Sequence, residues 1–171
     1  MQKLMIASDI HGSATYCRAM LDAFHRENAD RLLLLGDLLY HGPRNDLPDG
    51  YAPKEVIAML AEAKNSILAV RGNCDTEVDQ MVLPFPILAD YALLDVQGLT
   101  IFATHGHVWN SEHLPPLRQG DVLLHGHSHL PKMGMTDGIL CVNPGSVSLP
   151  KGGSTRGYLI LEGGVFTRKE L

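Results

Sequence analysis

The sequence predicts an α/β fold, because its first half alternates apolar with amphipathic segments and its second half contains closely spaced turns. Strands that alternate with helices form a parallel, right-handed arrangement. A short turn between apolar segments indicates a hairpin instead. The turns of the second half are QG (97–98), DG (137–138) and EGG (162–164). We therefore expect a parallel β-α-β-α-β unit followed by antiparallel hairpins.

The first half provides three strands and two helices. The strands are short apolar segments that end in polar residues, as buried strands do. Ser13 is a suitable N-cap for the first helix, and Pro53 is tolerated in the first turn of the second helix. In chain order these elements are KLMIAS (3–8), the helix 13–27, RLLLLGD (31–37), the helix PKEVIAMLAEA (53–63) and SILAVRGN (66–73).

The second half contains only predicted strands. We interpret PRNDLPDGYAP (43–53), in the first half, as a loop beside a site, because it is rich in proline, aspartate and glycine. No repeat, low-complexity segment or linker divides the chain, so we expect one domain over residues 1–171. The predicted strand segments of the second half are YALLDV (91–96), LTIFATHGH (99–107), DVLLHGHSH (121–129), MGMTDGILCVN (133–143) and RGYLILEGGVFTRKEL (156–171).

The composition is that of a globular protein with a hydrophobic core. Of the 171 residues 45% are hydrophobic, and the formal net charge is -5, which argues against an extended nucleic-acid surface. Cys17, Cys74 and Cys141 are three in number and form no CxxC pair, which favours a reducing compartment. The N-terminal segment lacks a signal-peptide pattern, and no segment is long enough to span a membrane. We expect a cytoplasmic location.

Five segments share one design, in which an apolar strand leads directly into residues that bind metals. Ligands of open α/β sheets bind beyond the carboxyl ends of the strands, so these segments are expected to converge. In Asp9-x-His11 and His127-x-His129, alternate residues of an extended chain would point the same way. The five segments are SDIHG (8–12), GDL (36–38), GNCD (72–75), THGH (104–107) and GHSH (126–129).

The donors in these segments are too many for one ion. Seven mixed oxygen and nitrogen donors suit two divalent cations about 3.5–4 Å apart that share a carboxylate. The absence of thiolate donors favours Mn, Fe or Zn over softer metals. The candidate metal ligands are Asp9, His11, Asp37, Asn73, His105, His127 and His129.

Each segment alone also has a structural interpretation. Asp9 would serve as a helix cap, Asp37 as an Asx-turn residue, and Gly72-Asn73 as an ordinary turn. The histidines of GHSH would form a surface cluster. The occurrence of all five segments at five strand ends favours the metal site.

Together the motifs D-x-H, G-D, G-N-x-D, H-G-H and G-H-x-H resemble those of the calcineurin-like metallophosphoesterase superfamily. The resemblance covers residues 3 to about 150, and NPGSVSLPKGG (143–153) is similar to the group of small bacterial phosphodiesterases. It implies a four-layer α/β/β/α sandwich with two mixed sheets packed face to face and helices outside.

The resemblance also implies a ligand assignment and a reaction. Asp9, His11 and His129 would bind one metal, and Asn73, His105 and His127 the other. Asp37 would bridge both, and the catalytic residues would be Asp37, Asn73 and His105. Two divalent ions, with Mn²⁺ first and Zn²⁺, Fe²⁺ and Ni²⁺ as alternatives, would hold a bridging hydroxide that attacks a small phosphodiester.

The chain departs from the superfamily at residue 74, where many members have histidine. That histidine stabilises the transition state or protonates the leaving oxygen, whereas the thiol of Cys74 is a weak, uncharged donor. We hypothesise that activity favours good leaving groups, or that His107 or His41 substitutes. Asp75 is expected to orient its loop, and Ser146 has no base motif that would make it a nucleophile.

Two other functions compete with a phosphodiesterase. The first is a phosphomonoesterase or dinucleotide polyphosphate hydrolase, which the missing histidine disfavours. The second is a non-catalytic protein-binding scaffold, which the seven retained donors disfavour. A homodimer or homotetramer is left open by the apolar late hairpins.

Overall fold

The computed structural model describes residues 3–171, which form two five-stranded sheets with three helices. The helices are α1 (Ala14–Arg26), α2 (Pro53–Glu62) and α3 (Glu77–Val82). A 3₁₀ turn (Lys64–Ser66) follows α2. The strands are β1 (Leu4–Ala7), β2 (Arg31–Leu34), β3 (Ile67–Ala69), β4 (Tyr91–Val96), β5 (Leu99–Thr104), β6 (Val122–Leu124), β7 (Lys132–Thr136), β8 (Ile139–Asn143), β9 (Gly157–Glu162) and β10 (Val165–Glu170).

The first sheet has the order β10-β9-β1-β2-β3. Strands β1, β2 and β3 are parallel, as the alternation of strands and helices predicts, and Ile6 of β1 pairs with Leu33 of β2. The last hairpin, β9 with β10, joins the other side of β1 in antiparallel orientation. The two ends of the chain therefore meet in one sheet.

The second sheet has the order β4-β5-β6-β8-β7. The predicted hairpins β4–β5 and β7–β8 form its two borders, and β5, β6 and β8 run parallel between them. The carboxyl ends of β5 and β6 consequently lie at the same edge. This edge carries two of the five polar segments.

The side chains of β1 divide between two cores, because successive residues of a strand face opposite sides. Met5 and Ala7 pack towards the helices, whereas Leu4 and Ile6 pack towards the second sheet. The core between the sheets is completed by residues such as Ile101 of β5, and each such buried side chain stabilises the fold by about 1.5–3 kcal/mol. The predicted face-to-face packing of two mixed sheets is confirmed.

The two outer layers differ in their secondary structure. Helices α1 and α2 cover the first sheet with apolar residues such as Met20 and Leu60. Along the described chain, no helix covers the outer face of the second sheet, where Leu114 and Leu117 pack instead. Both belong to LPPLRQG (114–120), and its two prolines disfavour a helix.

Helix boundaries follow the predicted signals, with one addition. The Ser13 side chain accepts a hydrogen bond from Tyr16 N (3.2 Å), as expected of an N-cap. Helix α3 was not predicted, although Thr76 and Asp79 form a capping box, which is a sequence signal for the start of a helix. Over residues 3–171, no helix combines the length and apolarity needed to cross a membrane.

Candidate metal centre

The five polar segments converge at the carboxyl ends of β1, β2, β3, β5 and β6. Backbone hydrogen bonds join them, since Asp9 N donates to Gly36 O (3.1 Å) and His11 N donates to Asp37 O (2.9 Å). The two sheets are joined in the same way, with His127 N donating to the carboxylate Oδ2 of Asp9 (3.1 Å). All seven predicted ligands are brought together.

The first group consists of Asp9, His11 and His129, all buried. The Asp9 Oδ1 atom lies 3.3 Å from His129 Nε2 and 3.6 Å from His11 Nε2. The two imidazole Nε2 atoms are 3.2 Å apart. One ion at the centre of this group would contact all three side chains.

The second group is arranged around His105. Its Nε2 atom lies 3.0 Å from Asn73 Oδ1, 3.2 Å from His127 Nδ1 and 3.3 Å from Asp37 Oδ2. The same Asp37 Oδ2 atom is 3.6 Å from His11 Nε2 of the first group. Asp37 therefore lies between the two groups.

Backbone carbonyls fix the tautomers of three of the histidines. The Nδ1 atoms of His11, His105 and His129 lie 2.7 Å from Tyr40 O, 2.7 Å from Leu35 O and 2.6 Å from Leu149 O, respectively. Because a carbonyl only accepts, each Nδ1 carries a proton, and in the neutral ring Nε2 is the nitrogen that would offer a lone pair to a cation at the centre. This second hydrogen bond is typical of metal-binding histidines.

The residues therefore fit a divalent cation by their chemistry. The centre gathers carboxylate, amide and imidazole groups, each of which can offer a lone pair to a cation. Asp9 Oδ1 is buried and has no hydrogen-bond partner anywhere in the described chain. Buried acceptors without donors are costly unless a cation lies among them.

The rings of His105 and His127 are adjacent, with their centroids 5.0 Å apart, and their pKa values are shifted in opposite directions. Burial opposes the charged form of His105, but Asp37 and Asp9 outweigh it and raise its pKa to about 9. Burial, assisted by the charge of His105, lowers the pKa of His127 to about 4. Without a metal, His105 therefore holds a second proton on Nε2 at neutral pH, which a bound cation would displace, whereas His127 stays neutral.

The backbone at the centre is unusual, because five of the predicted ligands have left-handed conformations. Eight non-glycine residues among 3–171 have positive φ, and these five are a majority of them. Each such residue costs on the order of 1–3 kcal/mol, and strain of this kind collects at functional sites. The five, with φ between 49° and 65°, are Asp9, His11, Asp37, His127 and His129.

This conformation corrects one step of the sequence argument. The D-x-H and H-x-H pairs were expected on extended chain, but β1 ends at Ala7 and β6 ends at Leu124, before the ligands. Asp9 and His11 converge through a tight loop rather than through strand alternation. Polar residues and glycine interrupt the strand pairing there, so the backbone is free to turn.

Three serine hydroxyls outside the predicted ligands hold Asp9 in place. Ser8 Oγ donates to Asp9 Oδ2 (2.6 Å), and the hydroxyls of Ser146 and Ser148 donate to Asp9 O (2.8 and 3.0 Å). Ser146 is fully buried and holds Asp9, which agrees with its exclusion as a nucleophile. The sequence contained no signal for these serines beyond the turn in NPGS.

Cys74 contributes its backbone to the centre. Its N–H donates to Asp37 Oδ1 (2.8 Å), and its Sγ atom accepts from Asn73 Nδ2 (3.3 Å). Burial, with the charge of Asp37 beside it, raises the pKa of the thiol to about 12, so the thiol is uncharged at neutral pH. Cys74 Sγ also lies among donor atoms of His11 and Asp37 that are within 4.8 Å of one another. The thiol was not among the seven predicted ligands.

The five histidines that are not predicted ligands lie outside the two groups. His107 is exposed, with its ring centroid 5.5 Å from that of His105. His41 packs against the rings of Tyr40 and Tyr51. His125 is buried, and His25 and His113 are exposed, as expected of surface residues.

An open cleft of about 650 Å³ adjoins the centre. Asn73, which is exposed, and His127, which is half-buried, form the side of the centre that faces it. Asp9, His11 and His105 lie behind them and are buried. A ligand would reach the donors from this side.

A two-sheet sandwich with a cluster of oxygen and nitrogen donors at its strand ends defines a metal-dependent hydrolase. The calcineurin-like phosphoesterase superfamily domain model matches residues 2–163, and the chain belongs to this family. It is 49% identical to phosphodiesterase YfcE of Escherichia coli strain K12, over 98% of this chain and 91% of YfcE. It is 25% identical to phosphodiesterase MJ0936 of Methanocaldococcus jannaschii, over 84% and 82% of the two chains.

Solved structures agree with this assignment. The structure of E. coli YfcE, described as a phosphoesterase, superimposes with a TM-score of 0.94 and covers 96% of this chain and 91% of its own. Vps29 of Chaetomium thermophilum, at 16% identity, superimposes with a TM-score of 0.65 over 95% and 82% of the two chains. The latter similarity establishes the shared fold alone.

Proposed function

We propose that the chain is a metal-dependent phosphodiesterase whose centre is formed by the seven predicted ligands. The observation that carries this proposal is the meeting of carboxylate, amide and imidazole side chains in two groups on either side of Asp37, with the buried Asp9 Oδ1 atom left without a hydrogen-bond donor among the described residues. Two relatives, YfcE and MJ0936, are themselves named phosphodiesterases. Family, fold and donor chemistry support the same activity.

The centre is proposed to bind two divalent ions, with Mn²⁺ preferred and Zn²⁺, Fe²⁺ and Ni²⁺ as alternatives. Asp9, His11 and His129 would hold one ion, and Asn73, His105 and His127 would hold the other; Asp37 would contact both. When bound, such ions supply an activated water and neutralise phosphoryl oxygens.

The side chains of this protein have distinct tasks in that reaction. Asp37, whose Oδ2 atom lies between His11 of one group and His105 of the other, would contribute a carboxylate to both ions. Asn73 faces the cleft, so its neutral amide leaves room for an anionic phosphate where a third carboxylate would repel it. His105, with its Nδ1 proton on Leu35 O, has its Nε2 atom directed at the centre, where it would bind an ion after losing its second proton. These three are the proposed catalytic residues.

The uncharged thiol of Cys74 favours diesters over monoesters. Superfamily members with histidine at this position have a cationic group for the leaving oxygen, and Cys74 supplies none. A leaving group that departs as a stable anion needs no proton. We therefore propose small phosphodiesters with acidic leaving groups as preferred substrates, and place phosphomonoesters and dinucleotide polyphosphates second.

A hydrolysis screen tests the function. Bis(4-nitrophenyl) phosphate and 4-nitrophenyl phosphate are compared for the metal-free protein reconstituted with Mn²⁺, Zn²⁺, Fe²⁺ or Ni²⁺. We expect the diester to be cleaved faster, with Mn²⁺ giving the highest rate, and we expect Asp37→Asn to be inactive. Full activity of Asp37→Asn would contradict the proposed centre, and a preference for the monoester would support the second function.

Residues 1–171 are proposed to act as one cytoplasmic domain. An interface between copies would use the border strands of the second sheet, where Tyr91, Leu93, Met133 and Met135 are exposed. Analytical ultracentrifugation of the wild type and Leu93→Lys tests this assembly.

The alternative of a non-catalytic protein-binding scaffold has its own test. If calorimetry showed that the protein does not bind Mn²⁺, the scaffold would be favoured over the metal-dependent enzyme.

A further inference from the structure

The cleft beside the centre is larger than one phosphate requires. Its volume of about 650 Å³ lies within the range of about 300–1,000 Å³ that small-molecule sites span. Asp37, Asn73, His127 and His129 form one part of its wall. The rest of the wall belongs to the loop 40–45, to Cys74 and Thr76, and to Ser128 and Lys151. A bound diester would therefore extend its substituents towards these residues.

Two cations, Arg44 and Lys151, line this outer part of the cleft. Both are exposed, and neither forms an ion pair with any carboxylate of residues 3–171. Asp37, a proposed metal ligand, is the one carboxylate among the cleft residues that the structure describes. The residues that line the cleft thus include two cations and one carboxylate, in a chain whose formal net charge is -5.

The backbone at these cations is tied to proposed metal ligands. Lys151 N donates to His129 O (3.2 Å), and His129 Nδ1 donates to Leu149 O (2.6 Å). On the other side, His11 Nδ1 donates to Tyr40 O (2.7 Å), four residues before Arg44. The backbone of Lys151 is therefore bonded directly to a proposed ligand, and the loop that carries Arg44 is anchored to the centre at Tyr40.

The loop that carries Arg44 is also closed on itself. Asn45 Nδ2 donates to His41 O (2.8 Å), and Asn45 N donates to Gly42 O (3.3 Å). These bonds hold a turn around Pro43 and keep Arg44 at the cleft. Such preorganisation reduces the entropy lost when a ligand binds.

A second cavity, of about 400 Å³, provides a contrast. It adjoins His127 and contains Lys132, but Lys132 Nζ donates to Ser111 Oγ (2.7 Å) and Glu112 lines the same cavity. Its positive charge is therefore offset by a carboxylate nearby. The cleft with Arg44 and Lys151 is the better anion site of the two.

We propose that Arg44 and Lys151 form an anion subsite, so that the preferred substrate is a phosphodiester that carries a second phosphate group. The inference rests on the proposed function, because the scissile phosphate is taken to lie at the metal centre. Arginine binds phosphate through two parallel N–H donors, and lysine binds it as a point charge. Tyr40, which lines the cleft with 43% of its surface exposed, offers a face for an organic group between the two phosphates.

Two chromogenic diesters test the subsite with the Mn²⁺-loaded protein. Thymidine 5′-(4-nitrophenyl phosphate) and the same ester with a 3′-phosphate share one scissile bond and differ in the second phosphate. We expect kcat/KM of the wild type to be about tenfold higher for the 3′-phosphorylated ester. This preference is expected to decline at high salt, because exposed charges are screened.

The variants Arg44→Gln and Lys151→Gln are each expected to lower kcat/KM for the 3′-phosphorylated ester by about fivefold. Their kcat/KM for the other ester should change less than about twofold, because that ester lacks the second phosphate. Lys64→Gln removes an exposed lysine outside the cleft and is the matched control, with both substrates unchanged.

The outcomes separate the subsite from the function. The subsite would be contradicted if the wild type had equal kcat/KM for the two esters, or if the variants lost equal activity on both. Hydrolysis of either ester would still support the proposed function in that case. Calorimetry of thymidine 3′,5′-bisphosphate measures binding without turnover. Unchanged affinity in Arg44→Gln/Lys151→Gln would also overturn the subsite. Failure of the wild type to cleave either ester would contradict the proposed function itself.

Discussion

The carboxylate of Asp75 accepts a hydrogen bond from the backbone N–H of Asp37, with 2.9 Å between Oδ2 and N. It also accepts from Leu38 N (2.9 Å) and Gly72 N (2.7 Å), so one buried side chain joins the loops after β2 and β3. Both loops carry proposed ligands, Asp37 and Asn73. Asp75 is thus a positioning residue for the part of the centre that lies between the two groups.

Asp75→Asn should loosen this arrangement. An amide has one acceptor oxygen, so at least one of the three backbone N–H groups would lose its partner, at a cost of about 1–3 kcal/mol. We expect a lower free energy of urea unfolding for the metal-free protein and weaker Mn²⁺ binding by calorimetry. Asp95→Asn, on the exposed face of β4, is the control. Wild-type values for both quantities in Asp75→Asn would show that Asp75 positions nothing.

Divalent ions should stabilise the protein strongly, because they would relieve the contact between facing acceptors. At a free concentration one hundred times Kd, a bound ion adds about 2.7 kcal/mol to the free energy of unfolding. We expect Mn²⁺ to raise Tm of the wild type and to raise it much less in His129→Ala. His113→Ala, at an exposed histidine, should respond like the wild type. The measurement is differential scanning calorimetry, and equal shifts in all three proteins would refute the ligand assignment.

Cys74→His should change the dependence on the leaving group. An imidazole at this position would line the cleft beside the centre, where it can assist a leaving oxygen that departs poorly. We expect the ratio of aryl to alkyl phosphodiester hydrolysis to fall by about tenfold or more. Cys74→Ser, which adds no base, is the control. An unchanged ratio in Cys74→His would mean that the thiol does not determine the substrate class.

Gly126→Ala should displace Asp9. A Cβ atom at this position would overlap Ser8 Oγ and lie 2.8 Å from Asp9 Oδ2. Both atoms belong to a buried hydrogen bond, so we expect a loss of roughly 1–3 kcal/mol in stability and weaker Mn²⁺ binding. Gly134→Ala is matched, because its Cβ would meet no heavy atom of the described chain within 4 Å. Equal urea midpoints for the two variants would contradict the close packing at Gly126.

The pair between Glu27 and Lys169 should give a small, acid-sensitive stabilisation. The Lys169 ammonium donates to both carboxylate oxygens of Glu27 (2.8 and 2.7 Å), and this bond lowers the pKa of Glu27. The contribution is therefore present above the unfolded pKa of about 4.3 and is lost as the pH falls through the lower folded pKa. The Lys169 side chain is 42% exposed, so screening by solvent limits the effect to about 0.5–1 kcal/mol.

Glu27→Gln tests that pair. We expect its deficit in free energy of unfolding to be full at pH 6 and to shrink below about pH 4. Glu62→Gln, at an exposed position in the last turn of α2, should show neither the deficit nor the change with pH. A deficit of Glu27→Gln that grows in acid would reverse the assigned sign.

Sequence patterns predicted the parallel first sheet, the hairpins and the convergence of five polar segments, because strand alternation and turn residues are local signals. They overestimated strand lengths at the site. The apolar segment before Asn73 continues to Val70, but β3 ends at Ala69, and Val70 N makes one further bond to Leu34 O (3.0 Å) before the loop begins. Loops that exchange hydrogen bonds with each other leave no periodic pattern.

Partners from distant parts of the chain were also beyond sequence reasoning. Ser146 and Ser148 support Asp9 from positions about 140 residues away, and nothing in their local sequence indicates it. Arg44 belongs to a loop that was predicted to lie beside a site. The position of Lys151 at the cleft could not be predicted, because it depends on the hydrogen bond from Lys151 N to His129 O. Such pairings depend on how the two sheets close on each other.

The seven proposed ligands are shared between the two sheets, four from the loops of the first and three from the loops of the second. An ion bound to Asp9 and His129, or to Asn73 and His105, would therefore cross-link the two sheets, which are otherwise held together at this end by apolar packing and a few hydrogen bonds. Its dissociation would lower the barrier to separating the sheets. Amide hydrogen exchange of β5 and β6 would then report metal occupancy from the hydrophobic interior.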